Sequence, residues 1–264
     1  MIFVGIIPAR YASTRFPGKP LIDLGGKSMI QRVYEQATKV LDLVLVATDD
    51  TRIYDCVLAF GGNVVMTSPN HKCGTDRVYE AYTKLCQQQQ WEVDNDQIVV
   101  VNIQGDEPFI QPDQISSLIA CFPTDIATLV HPFTEQNTWE DLQNPNYVKV
   151  AIAHNSSNAI SNTLGRALYF SRSVIPYMRA EEQNCWLKKG KYYRHIGMYA
   201  YRADVLKKIT HLPQSFLEQT ESLEQLRWLE NGLTIQVALT EISSIGIDTP
   251  EDLQIALQYL SQKS

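Results

Sequence analysis

Three short apolar runs fix most of what this chain can become. Ile2-Phe-Val-Gly-Ile-Ile7, Leu43-Val-Leu-Val-Ala-Thr48 and Gln97-Ile-Val-Val-Val-Asn-Ile103 are of strand length and do not alternate apolar with polar residues, as suits strands covered on both faces of a sheet. Between them lie segments with helical spacing. Ser28 caps a run carrying Met29, Val33, Ala37 and Val40, a short amphipathic helix follows Asp49-Asp50 and stops before Gly61-Gly62, and Thr75 is placed to cap a helix over 76–89. With a further strand at 63–66, the order strand, helix, strand, helix, strand predicts a parallel doubly wound α/β sheet. Ligands of such sheets collect at the carboxyl ends of the strands, so the chemistry belongs there.

The first strand empties into a loop over 8–20 that holds Arg10, Arg15 and Lys19 and no acid. Small residues at Ala12, Ser13 and Gly18 let backbone amides approach an anion, and the three cations match a polyphosphate. The same composition equally suits a solvated basic loop. Other nucleotide loops are missing: Gly26-Lys27-Ser28 ends like a P-loop, but Leu21 stands where its leading glycine belongs, and no Gly-x-Gly-x-x-Gly occurs. A nucleotide would therefore be held by residues 8–20.

The run ending at Ile103 continues into Gln104-Gly-Asp106-Glu-Pro108. A carboxylate beside a glycine at the end of a central strand suits Mg²⁺, which takes oxygen ligands and shares substrate phosphates; the plainer alternative is a turn capped by Asp106. Near the other end of the chain, Thr249-Pro250-Glu251-Asp252 is a strong helix start, with a capping hydroxyl, proline in the first turn and acids at the positive end of the dipole. Asp248 stands just outside that cap, equally fit to be a second metal carboxylate or a part of the capping turn.

Residues 112–122 read as a helix and 126–133 as a strand. From 144 to 202 the pattern is irregular, with strands near 148–154, 167–170 and 196–201 and a charged, aromatic loop at 177–194. No Ser/Gly/Pro linker isolates this section, which predicts one domain over 1–264 with an inserted part rather than two domains. Arg172 and His195 lie in it, each with an ordinary alternative as a surface ion pair or a hydrogen-bonded structural histidine. A helix over 218–231 places Glu218, Glu221 and Gln225 on one face, either toward solvent or toward the hydroxyls of a sugar. A last strand covers 233–240.

Composition narrows the partners. A net charge of −6 over 264 residues argues against a nucleic-acid binder, which needs a broad basic face rather than one short cluster. The five cysteines are scattered and form no Cys-x-x-Cys, so reduced thiols in a cytoplasm fit better than disulfides or zinc. No run approaches the ~18 apolar residues of a membrane helix, and no basic region precedes Ile2, so the protein is expected to stay where it is made.

Six blocks together resemble a known family. Pro8-Ala-Arg10-Tyr-Ala-Ser-Thr-Arg15-Phe-Pro-Gly-Lys19-Pro20, Asn102-Ile-Gln104-Gly-Asp106-Glu-Pro108, Tyr169-Phe-Ser-Arg172, Arg194-His195-Ile-Gly-Met-Tyr199, Leu223-Glu-Gln225-Leu-Arg227 and Gly246-Ile-Asp248-Thr-Pro250 look like the 3-deoxy-manno-octulosonate (Kdo) cytidylyltransferases. The resemblance implies a Rossmann-like, glycosyltransferase-A-like nucleotidyltransferase with a section for sugar binding and dimerisation. It also implies a cytoplasmic homodimer that joins CMP from CTP to the anomeric hydroxyl of Kdo for lipopolysaccharide synthesis. Arg10, Ser13, Arg15 and Lys19 would then hold the phosphates, Gly74, Thr75 and Gln104 the cytidine side, and Asp106 and Asp248 a Mg²⁺. Arg15, Lys19 and the two aspartates would form the catalytic set. Arg172, His195, Tyr199, Glu221 and Gln225 would bind the sugar acid, Arg172 through a bidentate fork to its carboxylate. A sialic acid cytidylyltransferase would be expected to carry a Gly-Ser-Lys loop where this chain has Ala12-Ser13-Thr14-Arg15, and a mere binding subunit has no need of two metal carboxylates.

Overall fold

The computed structural model describes residues 1–12, 16–154, 163–242, 246–247 and 249–263. In chain order the elements are β1 (Ile2–Ala9), α1 (Met29–Ala37), β2 (Leu43–Thr48), α2 (Thr51–Ala59), β3 (Val64–Met66), α3 (Gly74–Gln89), β4 (Ile98–Asn102) and α4 (Pro112–Ile119). There follow β5 (Ile126–Pro132), α5 (Trp139–Gln143), β6 (Lys149–His154), β7 (Gly165–Ser171), α6 (Trp186–Lys189), β8 (Tyr193–Arg202), α7 (Ala203–Thr210), α8 (Phe216–Glu221), α9 (Gln225–Glu230), β9 (Ile235–Leu239) and α10 (Pro250–Lys263).

The chain divides into two compact units, the first made of 1–116, 202–210 and 244–264, the second of 117–201 and 211–243. The sequence instead predicts one domain with an irregular section at 144–202. That section supplies β6, β7, α6 and β8, and nearly all of it lies in the second unit. The chain passes between the units at 116/117, 201/202, 210/211 and 243/244, so no single linker marks the division.

In the first unit β1 pairs in parallel with β2 on one side and β4 on the other, and β3 pairs in parallel beyond β2. This is the predicted parallel sheet. Val4, Ile6 and Ile7 of β1 and Ile98 to Val101 of β4 are fully buried, each contributing about 2 kcal/mol of apolar burial. Helices α1, α2 and α3 pack on the strands, with Ser28 Oγ accepting from Gln31 N at 3.3 Å to open α1 as its sequence requires. Helix α10 begins with a reciprocal capping box between Thr249 and Asp252. Its apolar face, through Leu253, Ala256, Leu257 and Leu260, covers Leu24, Met29, Phe109 and Ile247.

The second unit is a mixed sheet. Strand β5 runs parallel to β9 and antiparallel to β8, β7 is antiparallel to β9, and β6 is antiparallel to β7. Strand β6 also touches β8 through Lys149 and Arg194, so this sheet curls back on itself. The β5–β8 register slips once: Gly197 and Met198 lie between the pairs Thr128–Tyr199 and Leu129–Ile196. The charged, aromatic loop at 177–194 is anchored by Trp186, which packs edge-on against Trp139 and Tyr177 and is buried with Leu142 and Tyr192.

Two predicted helices differ in ways that matter for the site. The helix expected over 76–89 starts two residues earlier, at Gly74, because Cys73 Sγ rather than Thr75 caps it, accepting from Asp76 N at 3.4 Å. The helix expected over 218–231 is two helices. A Ser215/Glu218 capping box starts α8, Ser222 ends it in the left-handed region at φ 53°, and α9 begins at Gln225.

Candidate functional site

In the first unit the carboxyl ends of β1 and β4 come together closely enough that a Cβ on Gly105 would lie 3.0 Å from Pro8 O; only glycine fits without displacing β1. The loop after β1 closes on itself through Gly18 N donating to Tyr11 O at 2.9 Å, with Gly18 left-handed at φ 71°. The turn that follows buries Lys19 and aims its Nζ at Asp106 Oδ2, 2.8 Å away. Arg10 leaves β1 in another direction: its Nη2 donates to His71 O at 2.7 Å and to Cys73 O at 3.4 Å. Thus Arg10 holds the segment leading into α3, where Gly74 is exposed and Thr75 buried. Ser13 and Arg15 lie outside the described residues.

That segment has anchors the sequence did not single out. Glu80 of α3 accepts from Ser68 N at 2.9 Å, pairs with Lys84 at 2.7 Å and hydrogen-bonds the His71 ring. Burial alone would raise its carboxyl, but the bonds from Lys84, Ser68 and His71 outweigh it and bring Glu80 down to about 2. Arg77, fully buried, donates from Nη2 to Asp49 Oδ2 at 2.7 Å and from Nη1 to Thr67 Oγ1 at 2.5 Å. The first turn of α3 is thereby tied to the ends of β2 and β3. Asp49 is visible in sequence as an acid ending a strand, and its partner Arg77 only as one more helical arginine.

Gln104 opens the turn after β4, its carbonyl accepting from Glu107 N at 3.4 Å. Asp106, partly exposed, receives Ile247 N on its backbone carbonyl at 3.1 Å. Asp248 itself lies outside the described residues. This donor set fits Mg²⁺: one carboxylate already attracts a cation, the Lys19 ammonium, and still has a second oxygen to offer. Among the described residues no three His, Cys, Asp or Glu side chains cluster as metal ligands. Mg²⁺ does not need them, since it draws most of its shell from water and phosphate.

The second unit gathers the other candidates. Glu221, at the end of α8, accepts from Ser171 Oγ at 2.6 Å and from Arg172 N at 2.9 Å. The Arg172 guanidinium donates to the carbonyls of Glu221 at 2.7 Å, Pro145 at 3.0 Å and Ser222 at 3.3 Å. A fork to a ligand carboxylate would have to draw on those same nitrogens. Lys149, fully buried, donates to Arg172 O at 2.6 Å and Asn144 O at 3.0 Å. Burial pulls its ammonium down to about 8 against the pull of Glu221. Neither Lys149 nor Ser171 was marked by the sequence.

The expected polar stripe of Glu218, Glu221 and Gln225 does not form. Ser222 breaks the helix, Glu218 is buried against Arg227 at 3.3 Å, and Glu221 turns to β7. Gln225, at the start of α9, is buried, and its Nε2 has no hydrogen-bond partner among the described residues. The buried hydroxyl of Tyr199 lies against Thr128, and burial pushes it well above its usual titration range. His195 packs against Phe170 and Tyr199, each ring centroid 5.2 Å away. Burial, with Arg194 nearby, pushes it down to about 3, so it is neutral at physiological pH.

A family model described as cytidylyltransferase matches residues 4–235. The 3-deoxy-manno-octulosonate cytidylyltransferase of Phocaeicola vulgatus is 59% identical over 100% of this chain and 99% of its own, and that of Parabacteroides distasonis is 57% identical over the whole of both. The chain belongs to the 3-deoxy-manno-octulosonate cytidylyltransferase family. Among solved structures, a CMP:2-keto-3-deoxy-manno-octonic acid synthetase complexed with CTP matches over the whole of both chains with a TM-score of 0.82 and 39% identity. A cytidylyltransferase of Leptospira borgpetersenii, at 15% identity and a TM-score of 0.60, shares the fold.

Within this family member the candidates thus fall into two sets. Arg10, Lys19, Gly74, Thr75, Gln104 and Asp106 stand in the first unit, around the ends of β1 and β4 and the start of α3. Arg172, His195, Tyr199, Glu221 and Gln225 stand in the second, on the residue after β7 and on β8, α8 and α9.

Proposed function

We propose that this protein transfers CMP from CTP to the anomeric hydroxyl of 3-deoxy-D-manno-octulosonate, releasing pyrophosphate, with the first unit serving the nucleotide and the second the sugar acid. The observation that carries this reading is the Lys19–Asp106 pair at the carboxyl ends of the first and fourth strands, in a chain of this family. A buried lysine on a carboxylate beside a basic loop is suited to a triphosphate, because it supplies a fixed charge without the cost of reorganising water.

The acceptor hydroxyl gives its proton to water as its oxygen attacks the α-phosphorus, the bond to the bridging oxygen breaks, and pyrophosphate leaves with the electron pair. Lys19 and Arg15 offset the charge that gathers on it. Arg10 keeps the loop before α3 in place for the cytidine, near Gly74, Thr75 and Gln104, and Ser13 belongs with the phosphate loop. Asp106 and Asp248 would hold a Mg²⁺, which supplies charge neutralisation at the α-phosphate. His195 is too weak a base to take the hydroxyl proton; with Tyr199 and Gln225 it recognises the sugar, while Arg172 and Glu221 shape that wall. The protein works as a cytoplasmic homodimer in lipopolysaccharide synthesis, and no helix among the described residues is long and apolar enough to cross a membrane.

The test is pyrophosphate release from CTP and Mg²⁺ with Kdo, with N-acetylneuraminate and with no acceptor. Release with Kdo alone is expected. Equal rates with the sialic acid, or release without any acceptor, would overturn the assignment.

A further inference from the structure

Thr128 lies in β5 at the point where the β5–β8 register slips, and it is fully buried. Its hydroxyl oxygen has four polar neighbours: Met198 O at 2.9 Å, Ile196 O at 3.3 Å, His195 Nε2 at 3.1 Å and the Tyr199 hydroxyl, which, unlike the carbonyls, can itself donate. A hydroxyl has one proton to give, and carbonyl oxygens can only accept. Were that proton turned toward the imidazole, the threonine oxygen would face two carbonyl oxygens at hydrogen-bond distance with no hydrogen between them. The proton therefore goes to a carbonyl, Met198 O being the nearer. The contact with the ring must then run the other way, from Nε2–H to the threonine oxygen.

A neutral imidazole has only one N–H, so a proton on Nε2 leaves Nδ1 bare. The doubly protonated ring is disfavoured here, since burial and Arg194 lower the proton affinity of His195. The neighbouring rings of Phe170 and Tyr199 restrict rotation of the imidazole, and His195 still keeps some exposed surface.

We propose that Thr128 is a positioning residue that locks His195 in the Nε2–H tautomer, so that Nδ1 is presented as a fixed acceptor for a sugar hydroxyl; the second half rests on the reading of His195 as part of the sugar-acid set. An acceptor at this place selects a donor and repels a carboxylate, so His195 reads a hydroxyl of the acid sugar and not its carboxylate. No histidine in this arrangement acts as an acid or base.

Long-range ¹H–¹⁵N correlation on protein labelled with ¹⁵N-histidine reads the tautomer directly, with His195→Gln assigning the signals among five histidines. The wild type is expected to show a pyrrole-like Nε2 and a pyridine-like Nδ1 at neutral pH, and Thr128→Ser to keep them. Thr128→Val, of the same shape without the hydroxyl, is expected to admit the Nδ1–H form. Its KM for Kdo rises about tenfold, the worth of one hydrogen bond, with KM for CTP unchanged. An Nδ1–H ring in the wild type, or an unaltered tautomer in Thr128→Val, overturns the proposal. A changed tautomer with an unchanged KM for Kdo upholds the role of Thr128 and overturns the place of His195 in the sugar set. If Thr128→Val does not fold, the wild-type and Thr128→Ser spectra decide.

Discussion

Two residues carry opposite kinds of weight in the first unit. Asp106 is proposed to serve chemistry: its carboxylate already holds a cation, Lys19, at 2.8 Å, and on that proposal its removal strips charge from where the phosphates would bind. Asp106→Asn is expected to lower turnover on the order of a thousandfold while leaving the far-ultraviolet circular dichroism unchanged; near-normal turnover would end its assigned role. Glu80 is committed to structure. Its native carboxyl sits near 2 against an ordinary value of 4.5, so the folded state binds fewer protons than the unfolded one between those values. The stabilisation is complete above 4.5 and fades as the pH falls toward 2. Urea unfolding of wild type and Glu80→Gln should differ by about 2 kcal/mol at neutral pH and converge as the solution is acidified. A difference that is constant with pH would refute the ion-paired role.

At the scale of elements, the break between α8 and α9 decides where Glu221 and Gln225 go. Ser222 occupies a left-handed conformation that costs a non-glycine residue roughly 1 kcal/mol, and glycine adopts it freely at some cost in unfolded-state entropy. Ser222→Gly is therefore expected to gain about 0.5 kcal/mol, and Ser222→Val to lose stability, read as opposite shifts of Tm. If both variants melt below the wild type, the turn is held by something other than backbone conformation. Nothing in Thr220-Glu-Ser-Leu-Glu-Gln225 announces this turn, since each residue there is an adequate helix former, and so the sequence predicts one continuous helix. The strands β1, β2 and β4 were legible because a fully apolar run leaves few alternatives, and Asp106 because a glycine and an acid follow one of them. Arg77 with Asp49, Lys149 with Arg172 and Thr128 with His195 were not. Each pairing joins residues far apart in the chain, 28, 23 and 67 positions respectively, and depends on sheet order that periodicity does not encode. Helix α7 escaped because Ala203 follows β8 with no turn residue between.

For the whole molecule, the assignment of cations and buried polar groups to separate units implies that the two substrates can be perturbed one at a time. Among the described residues Arg10 hydrogen-bonds the segment leading into α3, whereas Gln225 carries a buried amide nitrogen with no partner among the described residues, on a helix of the other unit. Arg10→Ala frees the 71–73 carbonyls and loosens the start of α3, which raises KM for CTP by about tenfold and leaves KM for Kdo alone. Gln225→Leu removes the polar group without opening a cavity, and raises KM for Kdo by about the same factor, one buried hydrogen bond in each case. Two-substrate steady-state kinetics gives both constants, and calorimetric titration of CTP into the Gln225 variant checks that nucleotide binding is intact. Loss of CTP binding in Gln225→Leu, or a Kdo effect in Arg10→Ala, would show that the two units do not divide the substrates. The reaction would then depend on coupling between residues that belong to different units.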